Sequence, residues 1–197
     1  MIRSLALSAL MGAVALAAAP AHAKVLQFTS ILGPEVTGAT GSGSAQISID
    51  DVTNSMRLQV TFQGLSGVTT VSHIHAPTIS PGIGTAGVIV PSAPTLPGFP
   101  TGVNSGSYDN LFDLGLNTTY RTAFINSNGG TTTGARNALI GYIQSRQAYL
   151  NVHTTTFTGG EIRGFFQEQV PAPLPVLGVG AAMAWSRRMR RRLAAAA

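Results

Sequence analysis

The chain has 197 residues, no cysteine, 44% hydrophobic residues and only 10% charged ones, enough for one domain with its own core and incompatible with a disulfide-held scaffold. Its formal net charge of +5 is concentrated at the ends, with Arg3 near the start and Arg187, Arg188, Arg190, Arg191 and Arg192 near the finish. Between Lys24 and Val170 six basic side chains stand against seven acidic ones, a net −1, so this stretch lacks the basic footprint that phosphate binding needs and no nucleic-acid partner is expected.

Behind Met1-Ile2-Arg3, residues Ser4 to Ala19 are almost wholly apolar, and Ala21-His22-Ala23 closes the run with a small-x-small cleavage site. This predicts a secretory signal peptide over residues 1–23, with the mature chain starting at Lys24. A first strand is expected over Val25 to Ile31. Next, Ala45, Ile47 and Ile49 alternate with Gln46, Ser48 and Asp50, and Met56 to Gln63 alternates without a fault. The turn formers from Asp51 to Ser55 lie between, so the two runs predict an antiparallel hairpin. Further strands are expected at Val68 to His75, Gly87 to Val90, Gly106 to Phe112, Ala148 to Thr154 and Glu161 to Gln167. Many short strands punctuated by Gly, Pro and Ser predict, for residues 24–169, an all-β antiparallel sandwich or Greek-key barrel.

Two segments break the β pattern. From Thr133 to Arg146 the apolar residues Ala135, Ala138, Leu139, Tyr142 and Ile143 recur at helical spacing behind Thr133 as a candidate N-cap, which predicts an amphipathic crossover helix. A shorter helix is expected around Asn117 to Ile125. The proline-rich loop Pro77 to Gly102 is long for a compact domain, and ordered loops of this length often carry function.

Most motifs that suggest enzyme chemistry fail on context. Gly82-Ile83-Gly84-Thr85-Ala86-Gly87 has the spacing of a dinucleotide cradle, but Pro81 precedes it and a short strand follows, where a cradle needs a strand and then a helix. Its glycines are expected to serve turns with positive φ. No nucleophile elbow is present, and the few carboxylates are not paired as glycosidase chemistry requires. The chain is therefore read as a non-enzyme. Gly159-Gly160 predicts a tight turn joining the last two strands, and Glu161 and Arg163, two apart on a strand, predict a surface ion pair of little weight.

The histidines are the most specific feature. In Val71-Ser72-His73-Ile74-His75 a strand places His73 and His75 on one face with Val71, and His153 shares a face with Tyr149 and Asn151. If the three imidazoles converge they suit copper or zinc, with a position open for water or a small ligand. The other reading is structural, with each ring hydrogen-bonded to loop backbone at one end of the sandwich.

After the domain come Val170-Pro171-Ala172-Pro173-Leu174-Pro175, an apolar run from Val176 to Trp185, and Ser186-Arg187-Arg188-Met189-Arg190-Arg191-Arg192. The apolar run is shorter than the ~20 residues of a comfortable membrane span, and the arginines would hold its end on the cytoplasmic side. Residues 170–193, followed by a tail at 194–197, resemble the PEP-CTERM sorting signal, in a variant form with Pro171-Ala172-Pro173 where that family usually has Pro-Glu-Pro. The resemblance implies transient inner-membrane insertion, an exosortase-type processing enzyme as partner, and delivery to the cell surface or extracellular matrix.

A second resemblance covers about residues 26 to 167. His73-Ile74-His75-Ala76-Pro77, the Gly-rich loop leading to Val88-Ile89-Val90, Ala148 to Thr154 and Gly160-Glu161-Ile162-Arg163-Gly164 are similar to the CHRD domain, named for repeats in the animal protein chordin. Leu65-Ser66-Gly67 and Gly129-Gly130-Thr131 add to the likeness. Ala76 stands where glycine is usual, and Thr158 where proline is. The resemblance implies a non-enzymatic binding or structural module, with exopolysaccharide or a matrix protein as partner. The His-x-His strand is also reminiscent of copper-zinc superoxide dismutases, but their further histidine and aspartate ligands are missing and dismutation is not expected.

Overall fold

Alternation dictates the first half of the fold. A computed structural model describes residues 25–169, so the expected leader and sorting signal, including Pro171, Pro173 and the arginines from Arg187 to Arg192, lie outside the described residues. In β3 (Ser55–Gln63) Met56, Leu58, Val60 and Phe62 are buried while Arg57, Thr61 and Gln63 face solvent. β2 (Ser42–Asp50) buries Ala45, Ile47 and Ile49 in the same manner and pairs with β3 along its whole length. The expected hairpin turn is closed by Asp50 Oδ1, which accepts the backbone N–H groups of Val52 at 2.9 Å and Thr53 at 3.0 Å, the Asx geometry that makes aspartate a turn former.

β1 (Val25–Pro34) runs beside β2 for most of its length, then bends so that Gly33 and Pro34 pair with β8 (Ile162–Phe165) instead. The expected strand from Glu161 to Gln167 divides for the same reason. β8 belongs with β7 (Tyr149–Thr154), Phe166 turns fully inward, and β9 (Gln167–Glu168) returns to pair with β1. With β4 (Thr69–His75), β5 (Val88–Val90) and β6 (Gly106–Asp113), the strand order is β5-β4-β7-β8-β1-β2-β3-β6. The fold is all-β, one antiparallel sheet curled into a half-barrel whose two halves face each other as in a sandwich.

Phe28, Ile47, Leu58 and Val60 from one half meet Ile74, Leu150, Val152 and Ile162 from the other in a single core. Each such side chain contributes about 1.5–3 kcal/mol on burial, which lets the domain dispense with cross-links. The chain crosses from β6 back to β7 through a 3-10 turn (Asn117–Thr119), α1 (Thr122–Ser127) and α2 (Thr132–Gln144). α2 sends Ala135, Leu139 and Ile143 inward as the spacing predicts. Its cap is Thr131 rather than Thr133, because the Thr131 Oγ1 accepts the Gly134 N–H at 3.1 Å. Among the described residues no helix is long and apolar enough to cross a membrane.

Candidate metal centre

The pleat of β4 sends Ser72 and Ile74 toward the core and Val71, His73 and His75 to the outward face. The antiparallel register then sets Val71 opposite His153, His73 opposite Asn151 and His75 opposite Tyr149. His153 is thus the diagonal neighbour of His73 on the same face, within reach of a ring-sized side chain. On β8, Arg163 lies opposite Asn151 and Phe165 opposite Tyr149, which completes a patch of polar and aromatic side chains outside the core.

An outward face should be wet, yet His73, His75 and His153 are 7%, 8% and 9% exposed. The cover is the long loop. Its Thr95-Leu96 segment runs along the free edge of β4, with Leu96 N–H donating to Ser72 O at 3.0 Å and Ser72 N–H donating to Thr95 Oγ1 at 3.0 Å. Gly82 at φ 75° and Gly84 at φ 86° turn the chain before it, so these glycines serve turns as expected. The loop then lays backbone carbonyls on the histidines. His73 Nε2 donates to Pro94 O, and His75 Nδ1 donates to Ala86 O at 2.8 Å. From the β7–β8 connection, Thr158 O accepts from His153 Nδ1 at 2.9 Å.

These three bonds fix the tautomers. A carbonyl can only accept, so the proton of each neutral ring sits on the nitrogen that meets backbone. The other nitrogens, His73 Nδ1, His75 Nε2 and His153 Nε2, therefore carry lone pairs. His73 Nδ1 and His153 Nε2 face each other at 3.4 Å with no proton between them. His75 Nε2 is buried without a partner. One ring nitrogen from each histidine lies within 4.8 Å of the others. Ligands sharing an ion at ~2.0–2.1 Å stand no more than about 4.2 Å apart, so a shift of about half an ångström closes the cluster on a metal.

The electrostatics keep the rings in their ligating form. Burial foremost, offset in part by the Pro94 carbonyl, holds the His73 imidazole below its ordinary pKa. Burial likewise brings His75 down to about 4, with the charges of His73, His153 and Arg163 acting in the same direction. Both rings are then neutral at neutral pH, as metal ligands must be. Tyr149 stacks on His75, with centroids 4.9 Å apart and planes inclined by 8°, and Arg163 lies over Tyr149 at 5.3 Å. This clamp fixes the ring plane of His75.

The structural reading of the histidines is therefore correct for one nitrogen of each ring. It leaves the other three unexplained, and those are the three that converge.

The expected surface pair of Glu161 and Arg163 does not form. Arg163 binds Glu35 Oε1 at 3.2 Å and Gly84 O at 2.9 Å. Glu161 is fully buried and accepts from Ser66 N–H, from Gly67 N–H at 3.3 Å and from Thr154 Oγ1 at 2.6 Å. Burial pushes its carboxyl up, but the bonds from Thr154, Ser66 and Gly67 outweigh this and hold its pKa below the ordinary value. Glu161 does not share the outward face of Arg163, because it precedes β8 and turns inward to dock the Leu65-Ser66-Gly67 loop. The connection it ends, Thr155 to Glu161, is also wider than a two-residue turn. Within it Gly160 has φ 132°, and a Cβ there would stand 2.1 Å from Glu35 Oε2 and 2.5 Å from Asn151 Nδ2. Sequence reasoning found all three histidines but missed Tyr149, Arg163 and Glu35 as their supports, since those contacts depend on register.

No curated protein and no solved structure matches the chain significantly. A family model does, that of the CHRD domain, over residues 26–166, a span that takes in all nine strands but the last and all three histidines. The CHRD family is not a known enzyme family, and membership suggests a non-enzymatic binding module. With the match running through nearly every described residue, the chain belongs to the CHRD domain family.

Proposed function

We propose that this domain is an exported binding module whose ligand is a copper or zinc ion held by His73, His75 and His153. The observation that carries the reading is the convergence of three lone-pair nitrogens with no donor among them, two of them 3.4 Å apart. Facing lone pairs repel, and a buried acceptor without a donor costs about 1–3 kcal/mol. A cation removes both penalties at once. The outer nitrogens each donate to a backbone carbonyl, the arrangement that orients metal-binding histidines and raises their basicity. Three nitrogen donors are also the protein share of a zinc or copper site that keeps a position open.

The expected leader and the resemblance to a PEP-CTERM signal support export, transient inner-membrane insertion, exosortase-type processing and residence at the cell surface or in the matrix. There the module would meet exopolysaccharide or a matrix protein. Titration of the purified protein with copper or zinc above pH 7 should show one ion per chain, lost when all three histidines become alanine. Absence of stoichiometric metal, or equal affinity in the triple variant, sinks the metal reading. Retention of matrix or polysaccharide binding by that variant would assign the surface role to other residues.

A further inference from the structure

Resting on the metal reading, we propose that the site is built for a cation of single charge, cuprous copper, and that Arg163 and Arg121 set this preference by holding positive charge beside neutral ligands.

The donor set carries no negative charge. Among the described residues the ligand-capable group that comes together here is His73, His75 and His153, with no carboxylate or thiolate among its atoms. The partners of the outer nitrogens are likewise neutral, the carbonyls of Pro94, Ala86 and Thr158. A buried ion then has only dipoles to replace its hydration. That cost grows with the square of the charge, so a doubly charged ion suffers about four times the penalty of a singly charged one. Three nitrogens also complete a trigonal shell for cuprous copper, whereas zinc asks for a fourth ligand.

Two arginines flank the site. Arg163 lies 5.3 Å above the Tyr149 ring, which lies 4.9 Å from the His75 ring, so the guanidinium stands within about 10 Å of the ligand. Arg121 donates from Nη1 to Ser92 O at 2.9 Å, two residues before Pro94, whose carbonyl holds His73. Both guanidiniums keep their charge at any pH a protein tolerates, and from these positions beside His75 and behind the Pro94 carbonyl each opposes added positive charge at the cluster. Of the nearby carboxylates, Glu35 offsets part of Arg163 through Oε1 at 3.2 Å, and Glu161 turns away to Ser66, Gly67 and Thr154. At ~10 Å and an effective dielectric constant of ~20, one unit charge alters the discrimination between single and double charge by on the order of tenfold.

The test is competition at one pH and salt concentration. Cuprous ion is titrated anaerobically against bicinchoninate, and zinc and cupric ions against a chromophoric chelator, using the purified protein. One equivalent of cuprous ion should bind at least about tenfold more tightly than either divalent ion, the effect of one unit charge at ~10 Å. Equal or tighter binding of zinc or cupric ion overturns the proposal and leaves the metal site standing; binding of none of the three overturns both. Arg163→Gln should narrow the gap by about tenfold, chiefly by raising divalent affinity, and Arg163→Lys, which keeps the charge, should restore it. Arg121→Gln repeats the test in different packing. An equal loss of affinity for all three ions in these variants would mean that the arginines only hold the loop, and would sink their role as a charge filter.

Discussion

Gln46, Gln59 and Asp109 form one row across the outward face of β2, β3 and β6, while His73, Asn151 and Arg163 form the corresponding row across β4, β7 and β8. Both rows are polar, and both obey the same period of two. The first keeps its contact with solvent, and its polar groups pair with one another: Arg57 Nε donates to Asp109 Oδ1 at 2.8 Å and Gln59 Nε2 to Asp109 Oδ2 at 3.1 Å. On the second face the loop from Pro77 to Gly102 and the β7–β8 connection fold over the strands, bury His73 and Asn151 and meet the imidazoles with carbonyls. A polar side chain that keeps its water has little consequence for the fold. Under a lid it must find partners, and the partners then decide which atom is left to bind something else.

Substitutions on the two faces should therefore differ sharply in effect. The largest loss is expected from Glu161→Ala, which leaves the Ser66 and Gly67 N–H groups and the Thr154 hydroxyl without their acceptor. Urea unfolding should report about 3 kcal/mol less stability, and a loss under about 1 kcal/mol would show that water replaces the carboxylate freely. Gly160→Ala comes next, at about 2 kcal/mol, because it combines positive φ with a Cβ driven onto Glu35 and Asn151. Since Gly160 follows Thr158 closely, metal affinity should fall with stability; an unchanged affinity would uncouple the turn from the site.

Acid separates the faces by pH window. In the unfolded chain His75 titrates near 6.5, whereas in the fold burial foremost holds it at about 4. The unfolded chain then takes up its proton first as pH falls. Stability of the metal-free protein is fully present above about 6.5 and declines toward pH 4, by up to about 1.4 kcal/mol per unit from this ring. His73, shifted the same way, adds to the slope. On the other face Asp109 is held below its ordinary value by the hydrogen bond and charge of Arg57, so any contribution is lost only as pH falls below about 3.8. Urea midpoints measured from pH 7 to 3 should show the upper window in the native chain and lose its His75 part in His75→Ala. The smallest effect is expected from Asp109→Asn, which should leave the midpoint where it was, because an exposed ion pair of this kind contributes little.

Much of the molecule was legible before any coordinates. The flawless alternation from Met56 to Gln63 is enough to specify β3, its buried side and its partner hairpin, because a strand with one wet face has only one register that hides its apolar set. The helical spacing of Ala135, Leu139 and Ile143 specified α2 for a similar reason. Glu161 was misread because period-two reasoning assumes that the strand has already begun, and here the chain is still turning. The division of the last strand at Phe166 was equally hidden, since it reflects the curl of the whole sheet and not any local preference.

His73-Ile74-His75 and His153 reveal themselves in sequence as ligand-type residues on strands, and strand periodicity places each on a defined face. The residues alone leave both metal binding and structural hydrogen bonding open, and polar anchoring is the plainer reading of a half-buried histidine. Register put His153 diagonal to His73, and the folded loop brought Pro94 O and Ala86 O to the rings, contacts between residues 11 to 80 positions apart in the chain. Sequence thus determined which side chains could bind. Which nitrogens hold protons, which hold lone pairs, and what charge surrounds them were decided only by tertiary structure, because a tautomer is set by whatever the fold places against the other side of the ring.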